Sequence, residues 1–367
     1  MKFTVAQDVL VKPLQLVAGV VERRQTMPVL ANVLMVLQGN TLSLTGTDLE
    51  VEIIARVEVS KATGDGEITV PARKFLDIVR SLSDSSDIDF SLDAQKAIVK
   101  SGRSRFTLST MPASEFPAVE EGADELSFAA AQKEIKYLID RTSFAMAQQD
   151  VRYYLNGMLW ELRAQALRVV ATDGHRLAMC TRPVDVELKG IKQAILPRKG
   201  VVELSRLLQD NDEPVKLVLG TNHFRASTAA ITFTSKLVDA KFPDYERVLP
   251  PPGDKIILGD RNVLKQAFAR TAILSNEKYR GVRLLFEAGQ LTVAANNPEQ
   301  EEAEDKVEVD YDGEELELGF NASYLLDVAN VMQSEKMKIS LVDNNSSALI
   351  EEPGESDSAY VVMPMRL

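Results

Sequence analysis

A chain of 367 residues with 45% hydrophobic and 26% charged residues can bury several compact cores and has the composition of a soluble globular protein. No apolar stretch approaches membrane-spanning length, Asp8 breaks the N-terminus before a signal-like region can form, and the single cysteine, Cys180, excludes an intrachain disulfide; the expected location is the cytoplasm. A formal net charge of −12 argues at first against a nucleic-acid partner, because phosphate binding needs a basic face.

In chain order, apolar residues at helical spacing occur at Leu10/Leu14/Val17, Phe75/Ile78/Val79/Leu82, Ile135/Leu138/Ile139, Val201/Leu204/Leu208, Leu264/Ala267/Phe268 and Leu325/Val328/Ala329/Met332. They predict helices over 8–18, 72–82, 132–145, 198–208, 261–274 and 321–333. The second, fourth and sixth share a lead-in, Pro71-Ala72-Arg73-Lys74, Pro197-Arg198-Lys199 and Phe320-Asn321-Ala322-Ser323, in which proline and asparagine act as helix-start residues. Between helices lie β-branched runs such as Glu52-Ile53-Ile54-Ala55-Arg56-Val57 and Arg103-Ser104-Arg105-Phe106-Thr107-Leu108, which read as half-buried antiparallel strands.

One pattern recurs three times. An alternating run ending in a small polar turn appears as Leu42-Ser43-Leu44-Thr45-Gly46-Thr47-Asp48, as Leu167-Arg168-Val169-Val170-Ala171-Thr172-Asp173 and as Leu291-Thr292-Val293-Ala294-Ala295-Asn296-Asn297, at offsets of 125 and 124. Phe116-Pro117 and Phe242-Pro243 recur 126 apart. Such a period suits a whole small domain, so the chain reads as three tandem domains of one fold, each with two helices. The joints are the acidic, core-poor Glu120-Glu121-Gly122-Ala123-Asp124-Glu125 and the helix-breaking Pro250-Pro251-Pro252-Gly253-Asp254, which give boundaries at 1–125, 126–253 and 254–367.

Charge is segregated. The six helical windows hold 13 Lys or Arg against 6 Asp or Glu, a balance of +7, which leaves −19 on the rest of the chain. The helical face is therefore the place for a polyanion, although basic residues also favour helix surfaces for their own sake. Two copies joined head to tail would place twelve helices, each about 10 Å across, on a circle about 120 Å round with an opening of about 28 Å, enough for a hydrated duplex. Closure would also remove exposed strand edges.

The stretches Thr45-Gly46-Thr47-Asp48-Leu49-Glu50, Asp150-Val151-Arg152-Tyr153-Tyr154-Leu155-Asn156-Gly157, Ala171-Thr172-Asp173-Gly174-His175-Arg176-Leu177, Phe242-Pro243-Asp244-Tyr245, Asn296-Asn297-Pro298-Glu299-Gln300-Glu301 and Tyr360-Val361-Val362-Met363-Pro364-Met365-Arg366-Leu367 resemble the β subunit of bacterial DNA polymerase III, the sliding-clamp family, from Met1 to Leu367. The resemblance implies an α+β fold of three tandem processivity-fold (DNA clamp) domains, each with two helices on the inner face and antiparallel sheets outside, closed into a head-to-tail dimeric ring. It implies a processivity factor without catalytic residues, metal or cofactor. The implied partners are double-stranded DNA, a second copy of the chain, the polymerase III alpha subunit, the clamp loader delta subunit and other clamp-binding-motif proteins, with no membrane.

By the same resemblance, Arg24, Gln149, Tyr153 and Tyr154 match DNA-facing loops, joined by Arg73, Arg198 and Lys199 at helix starts. Tyr153 and Tyr154 read equally well as packing beside the peptide pocket. That pocket would be formed by Arg152, Leu155, Thr172, Gly174, His175, Arg176, Leu177, Pro243, Arg247, Val248, Asn321, Tyr324, Ser347 and the tail Val361, Val362, Met363, Pro364, Met365, Arg366 and Leu367. An apolar cleft with Met363 and Met365 adapts to different short peptides, with Arg152, Arg247 and Arg366 as polar anchors. Asn345 stands where many relatives carry an apolar residue. The tail also reads as a buried last strand, with Pro364 turning the final residues away from the sheet.

For the dimer, basic Lys74, Arg103 and Arg105 would face acidic Glu299, Glu301, Glu302, Glu304 and Asp305, while Phe106 and Leu108 pack on Ile273 and Leu274. A different class stays open on the residues alone: an acidic scaffold or enzyme in which Asp173-Gly174-His175-Arg176 supplies an acid or base. Against it stand only two histidines and no nucleophile elbow, P-loop or dinucleotide fingerprint. Asp48 and Asp173, at matching repeat positions, read as turn caps.

Overall fold

The structure is a computed structural model that describes residues 1–21, 27–117, 123–251, 253–354 and 357–366. Arg24 and Leu367, expected in the DNA and peptide sites, lie outside the described residues. The six helices form where the periodicity places them: α1 (Gln7–Val20), α2 (Ala72–Ser81), α3 (Gln132–Thr142), α4 (Arg198–Leu207), α5 (Arg261–Thr271) and α6 (Ala322–Val331). Five of the windows overran the ends of their helices, two of them by three residues at the C-terminal end. After α3 and α5 the chain tightens into single 3₁₀ turns, Ser143–Ala145 and Ala272–Leu274.

The start signals work in two ways. Asn321 caps α6 by accepting from the Ser323 amide at 2.8 Å, and Asp260 caps α5 by accepting from Val263 N at 2.9 Å. Pro71 and Pro197 instead close the preceding strands Gly66–Pro71 and Lys192–Pro197, and their fixed φ feeds the chain into α2 and α4. Each helix buries one stripe: α2 buries Ala72, Phe75, Leu76 and Val79 while Arg73, Lys74 and Arg80 stay in solvent.

All strand pairing is antiparallel, in two compact units. Unit one, Met1–Lys133 with Val202–Leu237, holds a five-stranded sheet ordered Lys61–Thr63, Lys2–Ala6, Asp87–Asp93, Lys96–Ser101, Ser104–Ser109. It also holds an eight-stranded sheet ordered Asp124–Ala131, Pro214–Gly220, His223–Ser227, Ile231–Lys236, Val51–Glu58, Thr41–Thr47, Asn32–Gln38, Gly66–Pro71. Phe3, Phe75 and Phe90 fill its core, the first and last stacked at 4.9 Å between ring centres.

Unit two, Glu134–Val201 with Val238–Leu367, has an eight-stranded sheet ordered Lys192–Pro197, Gly157–Arg163, Ala166–Thr172, Arg176–Pro183, Ser358–Val362, Ala348–Glu351, Lys336–Leu341, Lys255–Asp260. Its second sheet is ordered Glu302–Glu308, Gln290–Asn296, Gly281–Glu287, Leu316–Asn321. The three repeated runs are equivalent strands, Thr41–Thr47, Ala166–Thr172 and Gln290–Asn296. The thirds of the sequence are repeats of topology, whereas the units are bodies of packing: the middle third contributes half its strands to each large sheet.

Not every helical cation serves a basic face. Arg141 of α3 is 2% exposed and paired with Glu352, 3% exposed, with the Tyr360 hydroxyl also in reach. Lys133 pairs with Asp212 at 2.6 Å, Arg206 with Glu203 at 2.8 Å and Arg270 with Asp305. The +7 balance of the helical windows therefore overstates the positive field outside the protein.

Candidate functional site

The site grows from the second copy of the repeated turn. Between strands Ala166–Thr172 and Arg176–Pro183, one Asp173 carboxylate oxygen accepts from the amides of His175 and Arg176 at 2.9 and 3.0 Å. Thr172 Oγ1 donates to the Arg176 carbonyl at 2.6 Å and accepts from Gly174 N at 3.1 Å. The first copy repeats these bonds: Asp48 accepts from Glu50 and Val51 N at 2.9 and 2.7 Å, and Thr47 serves Val51 and Leu49. Both aspartates are thus turn caps. The turn needs a left-handed residue, φ +78° at Leu49 and +88° at Gly174. In the second copy a Cβ at this position would stand 2.9 Å from both terminal nitrogens of Arg152, so any larger residue would have to push that side chain aside.

Arg152 lies against that turn because Asp150 chelates it, accepting from Nε at 3.0 Å and Nη2 at 2.9 Å, while Nη2 also donates to the Asp173 carbonyl at 3.2 Å. Its hydrogen bonds hold the half-buried Asp150 carboxyl down to about 2. Beneath the turn lies an apolar floor of Leu159, Val170, Leu177, Ile195, Phe242, Tyr245 and Val361, with Tyr154, Met179 and Val248 packed on it. Leu155 is buried nearby. The floor is braced from below: Tyr245 donates to Glu161 Oε1 at 2.7 Å and accepts from Arg163 and Arg168 at 3.3 and 3.2 Å. Burial alone would raise the Glu161 carboxyl, but hydrogen bonds from Arg163, Gln193 and Tyr245 outweigh it and lower it.

Arg176 is the best-anchored side chain of the wall, at 12% exposure. Nε donates to Asp173 at 3.1 Å, Nη2 to the Phe144 carbonyl at 2.8 Å and Nη1 to Asp327 of α6. The rings of Tyr324 and Phe144 flank the guanidinium at 4.4 and 5.2 Å. Burial raises the Tyr324 phenol.

The tail completes the wall. Ser358–Val362 pairs with Arg176–Pro183 in the register Leu177↔Val361, and Met363 N still donates to the His175 carbonyl at 3.0 Å. Past Pro364 the chain leaves this sheet and Met365 N donates to Gly319 O at 2.8 Å, on the edge of the four-stranded sheet. Met363 is exposed. Val361 and Val362 are buried, Pro364 and Met365 half-buried and Arg366 exposed. Arg247 is exposed beside Asp244 at 2.8 Å, and Pro243 is exposed next to the buried Phe242. Ser347 is half-buried, at the end of a loop in which the Asp343 carboxylate accepts from the Asn345 and Ser346 amides; the Asn345 side chain bonds within that loop, to Asn344 at 2.8 Å.

The expected DNA residues fall on loops and helix starts. Arg73 is exposed in the first turn of α2 and donates to Val21 O at 3.3 Å. Arg198 begins α4 and donates to Met146 O at 3.3 Å; Lys199 follows, half-buried. Gln149 is exposed with φ +57°. Tyr153 is 58% exposed, its hydroxyl donating to Asp239 O at 3.3 Å, while its neighbour Tyr154 packs on the apolar floor.

Two strand edges carry the expected dimer residues. Ser104–Ser109 ends one sheet with Arg103 and Arg105 exposed and Phe106 half-buried; Glu302–Glu308 ends another with Glu302 and Glu304 exposed, Glu299 and Glu301 lying just before it. Lys74 is exposed and Ile273 is 74% exposed, with Leu274 half-buried. Leu108 is 7% exposed within its own unit, on the same face of the strand as the half-buried Phe106. Asp305 is taken by Arg270.

The sequence reading missed Phe144, Asp327, Tyr245 and Met179. The one available signal was the recurrence of Phe116-Pro117 as Phe242-Pro243, whose phenylalanines are both buried.

Family models for the DNA polymerase III beta subunit match the chain in order, the N-terminal domain over residues 1–120, the central domain over 129–244 and the C-terminal domain over 246–366. The chain belongs to the DNA polymerase III beta subunit family. It is 62% identical over 367 residues to the beta sliding clamp of Pseudomonas putida and 52% identical to that of Escherichia coli, with all of both chains covered in each case. It matches the crystal structure of the Pseudomonas aeruginosa sliding clamp, DNA polymerase III subunit beta, bound to griselimycin, with a TM-score of 0.98 at 62% identity and all of both chains covered. As a beta subunit the chain is a sliding clamp of three tandem clamp domains, an accessory to DNA replication rather than a catalyst. The acid–base reading of Asp173 and His175 falls with that assignment.

Proposed function

We propose that this clamp closes as a head-to-tail homodimeric ring around duplex DNA and tethers the replicative polymerase and other clients through the groove of Arg152, Gly174, Arg176, Leu177 and the C-terminal tail. The observation that carries the reading is the match of all three clamp domains, in order, along the whole chain. The apolar floor supports the peptide part: a short segment with two adjacent hydrophobic side chains would cover Tyr154, Met179 and Val248, the partly buried side chains packed on that floor, and a preceding glutamine would bond the polar rim. The alpha subunit of polymerase III and the delta subunit of the clamp loader are the clients we assign to it, in the cytoplasm. Pro243, Arg247, Val248, Asn321, Tyr324, Ser347 and Met363 would border the bound segment.

Arg24, Arg73, Gln149, Tyr153, Tyr154, Arg198 and Lys199 would meet phosphate and sugar, giving steep salt dependence and little sequence preference. Basic Lys74, Arg103 and Arg105 of one copy would meet acidic Glu299, Glu301, Glu302 and Glu304 of the other, around Phe106, Ile273 and Leu274. In this reading the three clamp domains meet at residues 125 and 253. The test is topological: clamp loaded onto nicked circular DNA stays bound through gel filtration and is lost once the circle is linearised. Equal retention on both forms would refute encirclement. Deleting Met363 to Leu367 should abolish binding of polymerase and clamp loader together and leave a dimer.

A further inference from the structure

Helix α6 poses a question of charge. Its sequence, Ala322–Val331, has no Lys or Arg and a single ionised residue, Asp327. On a helix of a protein that surrounds a polyanion, a lone carboxylate is unfavourable unless something else requires it. What requires it is Arg176. The Asp327 carboxylate, 39% exposed, takes Nη1 of that guanidinium, while Asp173 takes Nε at 3.1 Å and Phe144 O takes Nη2 at 2.8 Å. Each nitrogen of Arg176 thus has a partner from a different segment of chain, and aromatic rings stand over the guanidinium. A long side chain with this many fixed partners has given up its rotamer freedom before any ligand arrives.

We propose that Asp327 is a positioning residue for the client groove: acting through Arg176, it fixes the wall beside Leu177 so that an apolar side chain meets a rigid, charge-neutralised surface instead of a mobile cation. The inference rests on the groove reading above. Without Asp327, Arg176 keeps Asp173 and the Phe144 carbonyl but loses the strut to α6, and its Nη1 end gains freedom beside the floor on which Leu177 lies. The client then has to bear the entropy of ordering it. Asp327 itself need touch no client atom, so the loss should depend wholly on Arg176 being present.

The test uses the full-length dimeric clamp and a synthetic nonapeptide carrying a glutamine followed by adjacent leucine and phenylalanine, titrated by calorimetry. D327A should weaken binding about fivefold, the scale of one ordinary net hydrogen bond, with D327N losing less because its amide oxygen still accepts. D327E should recover most of the affinity. The R176A variant should bind weakly, and D327A added to R176A should change nothing further. Thermal melting of D327A and D327N within about 2 °C of wild type shows that the fold is kept. If wild type itself does not bind the peptide, the groove reading fails. If wild type binds and D327A binds equally well, or if D327A weakens binding as much without Arg176 as with it, the positioning role is overturned while the groove stands.

Discussion

Replacing Glu352 by alanine should be among the most damaging single changes available in unit two, although the residue touches no proposed ligand site. Glu352 and Arg141 are 3% and 2% exposed, and the carboxylate also accepts from Gln333 N at 2.6 Å, so it ties α3 to the segment after α6 and to the last strand through Tyr360. Burial alone would make Arg141 easier to deprotonate; hydrogen bonds from its side chain to Glu352 and Tyr360 outweigh this and keep it charged. E352A therefore leaves a guanidinium in the interior without its carboxylate, a cost of about 3–5 kcal/mol, whereas replacing both partners by apolar residues of similar volume is often neutral. For a unit of this size each kcal/mol lowers the melting temperature by about 2–4 °C, so E352A should melt about 10 °C lower. R141M/E352L should recover most of that loss. Differential scanning calorimetry of the three proteins decides the matter. E352A melting within about 2 °C of wild type, or a double variant as unstable as the single one, would refute the reasoning.

Three further outcomes follow from the site. G174A places a Cβ 2.9 Å from the Arg152 guanidinium at φ +88°, so it should displace Arg152 from Asp150 and cost about 1 kcal/mol in backbone strain; calorimetry with the client peptide should show weakened binding, and unchanged affinity would place Arg152 outside the groove. The Asp150 carboxyl is depressed to about 2, so the contribution of its bond to Arg152 is fully present above the ordinary carboxylate range and disappears only as pH falls through about 2; carboxyl NMR should show that midpoint, and a value near 3.9 would mean the chelate is open in solution. I273A/L274A should give monomers in sedimentation at nanomolar protein, since Ile273 is 74% exposed and exposed ion pairs add only about 0–1 kcal/mol each; a persistent dimer would move the interface.

What lies within a few residues was fixed by sequence alone. The six helices, the three repeated strands and the two aspartate turn caps all depend on periodicity or on hydrogen bonds to the second and third residue onward, as in Asp48 to Glu50 and Val51. Resemblance to clamps carried the family. Only the tertiary structure decided which strands continue into which sheet, because pairing Ile53 with Phe233 or Leu177 with Val361 is written in no local pattern. It also decided the fate of residues whose type leaves two outcomes open. Arg141 and Arg73 are both helical arginines, yet one is buried against Glu352 and the other faces solvent; Phe106 and Leu108 share one face of an edge strand, yet the first is half-buried and the second buried. The groove wall is the clearest case. Arg176 and Asp327 stand 151 residues apart, and an ion pair across that distance exists only once the sheet and α6 have been packed together.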